Sequence, residues 1–525
     1  MLSPQALTVD ALVAKFDRPD APGVSVAVYS AGEVIYRRAA GMADLEHNVR
    51  LATGSVFDIA SMSKQFTAMA VVLLHEDGRL SLDDEIQKFI PEVHTGHKKV
   101  TIRELLQHTS GIRDYLDLMD LVGENPDNRV VSQSDVLDII AAQHQLNFNP
   151  GDAFRYENTS YALMATLVQR VSGKSLREFA AERIFRPLDM NSTQFRDNHT
   201  DLIRNRACGY EPRDAGWSGI TPIYDEVGDG GVWTNAEDLA KWDANFYQPR
   251  VGGEHAIQLL LSQATLNNGL RISYALGLFV EKYRGFTMVS HGGVDPGYRA
   301  QMLRFPSEHL TVSVLANNPA YDVEGLARQI ADVYLPQGTE IVHSPSSTPT
   351  PIAYNSSQFA GRYLDEATGR MREIVTGNDG LVLRSRGKDY PLVHVEGERF
   401  EDPSDGGLLV FEPNSTGTHM TMSVEGQMPS VSRQLQANIP IWNAGEYEGT
   451  YSSTELGVTW RIGSSGANLT LRRRDAEGTI SVLDKDEFAG DPGLLHFLRD
   501  QRGRVVAFTV TNVRDTGIEF RRSSN

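Results

Sequence analysis

A break in composition at positions 337–356 constrains this chain more than any other feature. There the sequence turns to proline, serine and threonine, with His343-Ser344-Pro345-Ser346-Ser347-Thr348-Pro349-Thr350-Pro351 at its centre. Such a run favours extended backbone and offers little to a core. Helical and strand periodicities are mixed before it, and helical periodicity almost vanishes after it. The chain therefore reads as a body over 1–336, a linker over 337–356 and a β-rich tail. A length of 525 residues suits two or three domains.

In the body, Val24–Tyr29 alternates as a strand, Ser30-Ala31-Gly32 turns the chain, and Val34–Tyr36 returns it. Helical patterns follow over Ser61–His75, closed by Asp77-Gly78, and near Thr101–His108, Ser134–Gln143 and Tyr161–Ser172. Thr234 with Glu237 predicts a capping box ahead of Leu239 and Trp242. Strand signals resume at Tyr274–Glu281, Thr287–Ser290, Ala300–Phe305 and Leu310–Ala316, and Leu326–Tyr334 reads as a closing helix. Strands at both ends with helices between them predict an α+β body, built on one central antiparallel sheet with helices on its faces.

The tail offers short alternating stretches, among them Gly380–Leu383, Leu408–Phe411, Thr418–Val424, Val458–Ile462, Asn468–Leu471 and Val505–Thr511. A faint repeat relates Phe359-Ala360-Gly361-Arg362-Tyr363 to Tyr447-Glu448-Gly449-Thr450-Tyr451. Two similar small antiparallel β-barrels are expected, over 357–440 and 441–525.

The formal net charge of −18 argues against nucleic acid and anionic membranes as partners. The single cysteine, Cys208, excludes an intramolecular disulfide and a cysteine zinc site, and reads as a small core filler. The N-terminal residues lack a basic stretch followed by an apolar one, and no apolar run approaches a membrane span; both point to a cytoplasmic protein. No metal cluster, phosphate-binding glycine loop or dinucleotide fingerprint is seen, so no metal and no cofactor is expected.

Chemistry concentrates in three short segments. Ser61-Met62-Ser63-Lys64 places a hydroxyl and an amine at i and i+3, which share one face of a helix. A serine in the first turn lies near the positive helix end, and a lysine amine beside it can take its proton. The spacing alone is cheap, for Ser385-Arg386-Gly387-Lys388 repeats it in the tail, where it reads as surface. The apolar run from Phe66 to Leu74 sets the first copy apart, because it buries the helix and with it the lysine. Tyr156-Glu157-Asn158 offers a phenol to relay protons and an amide to orient the lysine; the plainer alternative is a turn asparagine with the tyrosine in the core. His291-Gly292-Gly293 ends a strand with residues small enough to let a substrate backbone approach, or simply turns the chain.

These segments, in this order, resemble the penicillin-binding protein and class C β-lactamase family of serine hydrolases. Phe57–Phe66 resembles its nucleophile segment, and Leu105-Leu106-Gln107-His108-Thr109-Ser110-Gly111-Ile112 its next helix and turn. Asn149-Pro150-Gly151 through Tyr161, Gly230–Thr234 and Tyr274–Leu278 are similar in style. The resemblance spans about residues 10–335 and implies a β-lactamase/transpeptidase-like fold. It implies acylation of Ser61, acid–base roles for Lys64 and Tyr156, a holding role for Asn158, and a place for His291 among the catalytic residues at the third-motif position. The oxyanion would lie between the Ser61 N–H and an N–H of the Gly292-Gly293-Val294 stretch, that of Val294.

Two departures narrow the expectation. His291 stands where β-lactamases and carboxypeptidases of the family usually carry the lysine of Lys-Thr-Gly, whereas its esterases and D-aminopeptidases use His-x-Gly. Glu157 stands where a small residue is common. With a tail of two lipocalin-like barrels, the chain resembles the three-domain D-aminopeptidases, whose tail helps shape the active site. Arg474–Gly490, rich in acids and glycine, is the candidate loop for that, or else a solvated hairpin loop. The expected partner is a small peptide, amide or ester, with a homodimer plausible from the frequency of such assemblies. A carboxylesterase is the close alternative and a β-lactamase the next; a non-catalytic binding protein on this fold is the alternative of another class.

Overall fold

Two strands buried along almost their whole length set the architecture. Every residue of Leu310–Ala316 is buried, as are the first six of Val24–Ser30, so both need apolar cover on two faces. In the computed structural model, which describes residues 3–336 and 358–523 apart from 378–379, 386–387, 403–405, 415–416, 437–441, 466–467 and 475, they pair side by side. They form the middle of a six-stranded antiparallel sheet ordered Phe279–Tyr283, Phe286–Asp295, Tyr298–Phe305, Leu310–Ala316, Val24–Ser30, Glu33–Ala40. The N-terminal hairpin and the late strands thus join in one sheet, as the sequence suggests.

One face is covered by Pro4–Ala14 and Val323–Tyr334; the latter buries Val323, Leu326, Ala327, Ile330 and Ala331, an apolar stripe of helical period. The other face carries the helical part of the body. There Lys64–Glu76 is buried from Lys64 through Leu74 and packs against Thr159–Ser172. A helix enclosed on all sides has no solvated face on which to place a lysine, which is why Lys64 is wholly buried.

Three local expectations are corrected. The strand expected from Tyr274 starts at Phe279, because Tyr274–Leu278 is a buried loop packed on the helix Lys64–Glu76. Gly277 of that loop has φ +74, and a Cβ there would lie 2.7 Å from the Lys64 carbonyl carbon. The cap before Leu239 is Asn235, whose side chain accepts the Asp238 N–H at 2.9 Å. Thr234 is still held extended by pairing with Phe57, and its hydroxyl lies 2.6 Å from that of Thr193. Arg474–Gly490 is no loop: Ala476–Asp484 and Glu487–Gly490 are paired strands.

The tail forms a nine-stranded antiparallel sheet between Gly361 and Gln434 and a closed eight-stranded barrel between Gly449 and Arg522. The faint repeat is structural. Tyr363 O–H donates to the Phe359 carbonyl at 2.9 Å, and Tyr451 O–H donates to the Tyr447 carbonyl at 2.7 Å. The linker 337–356 lies outside the described residues. So do Arg386 and Gly387 of the second Ser-x-x-Lys; Ser385 and Lys388 pair across that hairpin, and Lys388 is exposed. Among the described residues, no helix is long and apolar enough to cross a membrane.

Candidate active site

The segment that carries Ser61 begins with a forced turn. Phe57–Asp58 pairs with Val232–Thr234, and the chain then reverses through Ala60, whose φ of 47° is unusual for a residue with a side chain. Asp58 accepts the Ala60 N–H at 2.8 Å and so stabilises the turn. A short tight helix, Ala60–Ser63, presents Ser61 half-buried before the regular helix starts at Lys64. Burial pushes the Asp58 carboxyl up to about 7.

Lys64 Nζ contacts three oxygens: Ser61 Oγ at 3.1 Å, Asn158 Oδ1 at 2.9 Å and the Asp229 carbonyl at 2.8 Å. The amide and carbonyl oxygens can only accept, so they take two N–H groups. The third direction, toward Ser61, is where the lone pair of a free amine would meet the Ser61 proton. Tyr156 lies over the same amine, with Nζ 5.0 Å from its ring centre.

The strand Phe286–Asp295 closes the site. His291 is buried, and its Nδ1 lies 2.7 Å from the Gly292 carbonyl. A carbonyl only accepts, so Nδ1 carries the proton. Nε2, 3.3 Å from the Tyr274 hydroxyl, is then the acceptor of that O–H. Burial lowers the His291 pKa to about 3, so the ring is neutral. Gly293 meets the turn before Ser61 directly: a Cβ there would lie 2.1 Å from the Ile59 carbonyl oxygen. At Gly292 the nearest atom to an added Cβ is Gln301 Oε1, at 2.7 Å. Val294 pairs with Arg299 next to the two-residue turn Pro296-Gly297. The pair Asp295–Tyr298 closes that turn, so in the alternation of an antiparallel ladder the Val294 N–H faces away from the neighbouring strand.

These residues border a cavity of about 440 Å³, within the range of small-molecule sites. Ser61, Tyr156, Asn158, His291, Gly292 and Val294 all line it, while Lys64 and Gly293 stand behind the lining. The arrangement can activate a hydroxyl and stabilise an oxyanion.

Several contributors are invisible in the motifs. Asp229 holds Lys64 through its backbone, which no side-chain pattern encodes. Asp58, Glu226, Asp229 and Asp295 make the cavity acid-rich. Tyr115 O–H lies 2.7 Å from Glu226 Oε2 and 3.2 Å from Asp229 Oδ2. Burial keeps the Glu226 carboxyl well above its usual range. His108, buried between Tyr156 and Tyr274 at ring distances of 4.5 and 4.6 Å, faces Glu157 Oε1 at 3.3 Å. Glu157, the departure noted in the sequence, also accepts the Ser160 N–H at 2.7 Å and the Ser160 hydroxyl.

The family model described as Beta-lactamase matches residues 9–335, more than half of the chain. The chain belongs to the Beta-lactamase family. It is a serine hydrolase of that family, and the matched span contains every residue described above as lining or holding the Ser61–Lys64 pair. Among curated relatives, Penicillin-binding protein 4* of Bacillus subtilis is 28% identical over 380 residues, covering 68% of this chain and 82% of that protein. A D-aminopeptidase of Brucella canis is 25% identical over 525 residues, covering 95% of this chain and 96% of that protein. Among solved structures, the octameric penicillin-binding protein homologue from Pyrococcus abyssi aligns with a TM-score of 0.57 at 23% identity, over 82% of this chain and 99% of that one. The Brucella alignment runs on through the β-rich tail, beyond the family domain.

Proposed function

We propose that this Beta-lactamase-family enzyme releases N-terminal D-residues from short peptides or amides through an acyl-enzyme on Ser61. The observation that carries the reading is the Lys64 amine, held by two acceptor-only oxygens with its third direction on Ser61 Oγ. Ser61 Oγ attacks the substrate carbonyl and its proton passes to Lys64. The N–H groups of Ser61 and Val294 hold the oxyanion. Tyr156, over the Lys64 amine, returns a proton to the leaving nitrogen as the C–N bond breaks. Water then cleaves the ester with the same groups in reverse. Asn158 holds Lys64, and neutral His291, oriented by Tyr274, shapes the strand that binds substrate.

Two observations favour an aminopeptidase over an esterase. The carboxyl groups of Asp58, Glu226, Asp229 and Asp295 line the cavity and offer hydrogen-bond acceptors to a substrate's free amine. Two curated relatives that align over 90% and 95% of this chain are named D-aminopeptidase. A β-lactamase is disfavoured because a neutral His291 stands where a cation would bind the substrate carboxylate. The division into 1–336, 357–440 and 441–525 is the domain reading that sheet membership supports. A homodimer remains our reading of the assembly, testable by light scattering.

The test is cleavage of D-alanine and L-alanine p-nitroanilides and of p-nitrophenyl acetate, beside Ser61→Ala. Cleavage of the D-anilide, lost in the variant, supports the reading. Cleavage of the acetate alone makes the protein an esterase, and activity surviving in Ser61→Ala removes Ser61 as nucleophile.

A further inference from the structure

A guanidinium enters the active-site cavity from the far end of the chain. Residues 512–517 join the barrel strands Val505–Thr511 and Ile518–Arg522. This turn is internally built: Asn512 Oδ1 accepts the N–H groups of Arg514 and Asp515 at 3.1 and 2.7 Å. It is also docked on the catalytic body. Asn147 donates to the Arg514 carbonyl at 2.7 Å and accepts the Thr516 N–H at 2.8 Å. Asp515 Oδ1 accepts the Asp114 N–H at 2.9 Å, and Arg155 donates to the Thr516 hydroxyl. Nearby, Arg113 binds Glu455 of the barrel at 2.7 Å. The turn is therefore placed by the catalytic body before any substrate arrives.

Arg514 lines the cavity with Tyr115, Leu116, Tyr156 and Asn158. Its Nη1 lies 3.3 Å from Asp114 Oδ2 and 3.9 Å from Asp117. Asp114 is already occupied: Oδ2 accepts the Asn158 N–H at 2.6 Å, and Oδ1 accepts the N–H groups of Leu116 and Asp117 at 3.0 and 3.2 Å. The arginine contact is the longest at that carboxylate. Among the described residues, the rest of the guanidinium has no hydrogen-bond partner, and the side chain is 31% exposed. A guanidinium carries five N–H donors in a planar fork matched to carboxylate oxygens.

The other basic side chains of the site are directed to acceptors within the protein. Lys64 directs its contacts to Ser61, Asn158 and Asp229. Arg196 donates its two terminal nitrogens to the carbonyls of Pro222 and His199 and lies over the Trp233 ring, and its remaining Nε is buried without a partner among the described residues. His291 is neutral and donates to its own strand. We infer that Arg514, supplied by the C-terminal barrel, receives a carboxylate of the substrate, so that the preferred substrates are small amino acyl compounds bearing a free acid. This inference rests on the aminopeptidase reading above. The acid has two sources, the C-terminal carboxylate of a dipeptide or an acidic side chain on the released residue.

The experiment compares paired substrates that differ only in that acid. D-alanyl-D-alanine against D-alanyl-D-alaninamide reports the C-terminal carboxylate; D-glutamate against D-glutamine p-nitroanilide reports the side chain. In Arg514→Ala the acid-to-amide ratio of kcat/KM falls about 10- to 100-fold for one pair, through a rise in KM, and Arg514→Lys restores part of it. The pair that responds identifies the source. Ratios within about threefold of wild type for both pairs overturn the inference. So does a parallel loss on acid and amide alike, since that marks a structural role through Asp114. A second readout needs no turnover: calorimetric binding of each pair to Ser61→Ala, with and without Arg514→Ala. Should the wild type cleave none of these compounds, the aminopeptidase reading fails, and this comparison alone decides on Arg514. Tighter binding of an acid than of its amide, abolished by Arg514→Ala, supports the inference; equal or absent binding overturns it.

Discussion

The neighbouring glycines of the strand that closes the site are expected to answer substitution very differently. A Cβ at Gly293 would sit 2.1 Å from the Ile59 carbonyl oxygen, 2.9 Å from its carbon and 3.1 Å from Ala60 Cβ, where ordinary contact begins near 3.4 Å. Both partners belong to the nucleophile turn, so neither can rotate away. Strand and turn must separate by more than about 1 Å in Gly293→Ala. Overpacking of this kind costs about 1–3 kcal/mol, offset by about 0.4–1 kcal/mol from the less flexible unfolded chain. The net loss of stability is therefore at most about 2.6 kcal/mol. The kinetic effect is larger, because the displacement falls between Ser61 and the Val294 N–H; a misplacement near 1 Å costs about 100-fold. In Gly292→Ala the Cβ meets the tip of the Gln301 side chain, which can swing aside. That variant should keep kcat/KM within about tenfold of wild type. Steady-state kinetics on a D-alanine anilide, with thermal melting as the control for folding, reads both. A Gly293→Ala enzyme within about threefold of wild type would refute the close-approach argument.

Three further outcomes are expected. His291 stays neutral with its proton on Nδ1 across the pH range of the assay, so nitrogen NMR of the labelled imidazole shows no titration near 6.5; a titration there would contradict the assignment. Lys64→Met lowers kcat by about 10²–10⁴-fold and leaves Asn158 Oδ1 and the Asp229 carbonyl without their donor, read by single-turnover kinetics and melting. Burial holds the Glu157 carboxyl well above its usual range, so the folded state keeps its proton. The stability this proton confers is present at low pH and declines as pH rises past the ordinary carboxylate value. Glu157→Gln, isosteric and uncharged, should therefore gain on wild type with rising pH. Glu157→Ala should lose about 1–3 kcal/mol by leaving Ser160 without its acceptor. Denaturant melts at several pH values check both variants.

What was legible in the sequence follows a physical divide. The i, i+3 pair Ser61 and Lys64 and the buried run after it are local, so periodicity alone brings them together and buries the amine. The two buried strands are local in the same sense, and the sheet they form follows from where they lie in the chain. The tyrosine shared by the two copies of the faint repeat makes the same hydrogen bond to the residue four positions back in both. The shift of the helix cap from Thr234 to Asn235 was not legible, because it depends on strand pairing to Phe57. Nor was the role of Tyr274, whose segment reads as strand but packs as a loop on the nucleophile helix. The tail residue that lines the site was sought in Arg474–Gly490, where acids and glycine suggest a loop. That segment is paired strand, and Arg474 itself meets Glu124 at 3.2 Å. Arg514 lies on an unremarked turn whose place is set by Asn147 and Asp114, nearly four hundred residues earlier.

The most direct test of the central claim is to catch the acyl-enzyme. A D-alanine ester is mixed with the protein, quenched in acid during turnover, and the digest is examined by mass spectrometry. The account predicts one alanyl group on the peptide that carries Ser61, absent in Ser61→Ala and slow to form in Lys64→Met. Turnover with no adduct in wild type under burst conditions, or an adduct on any other residue, would contradict it.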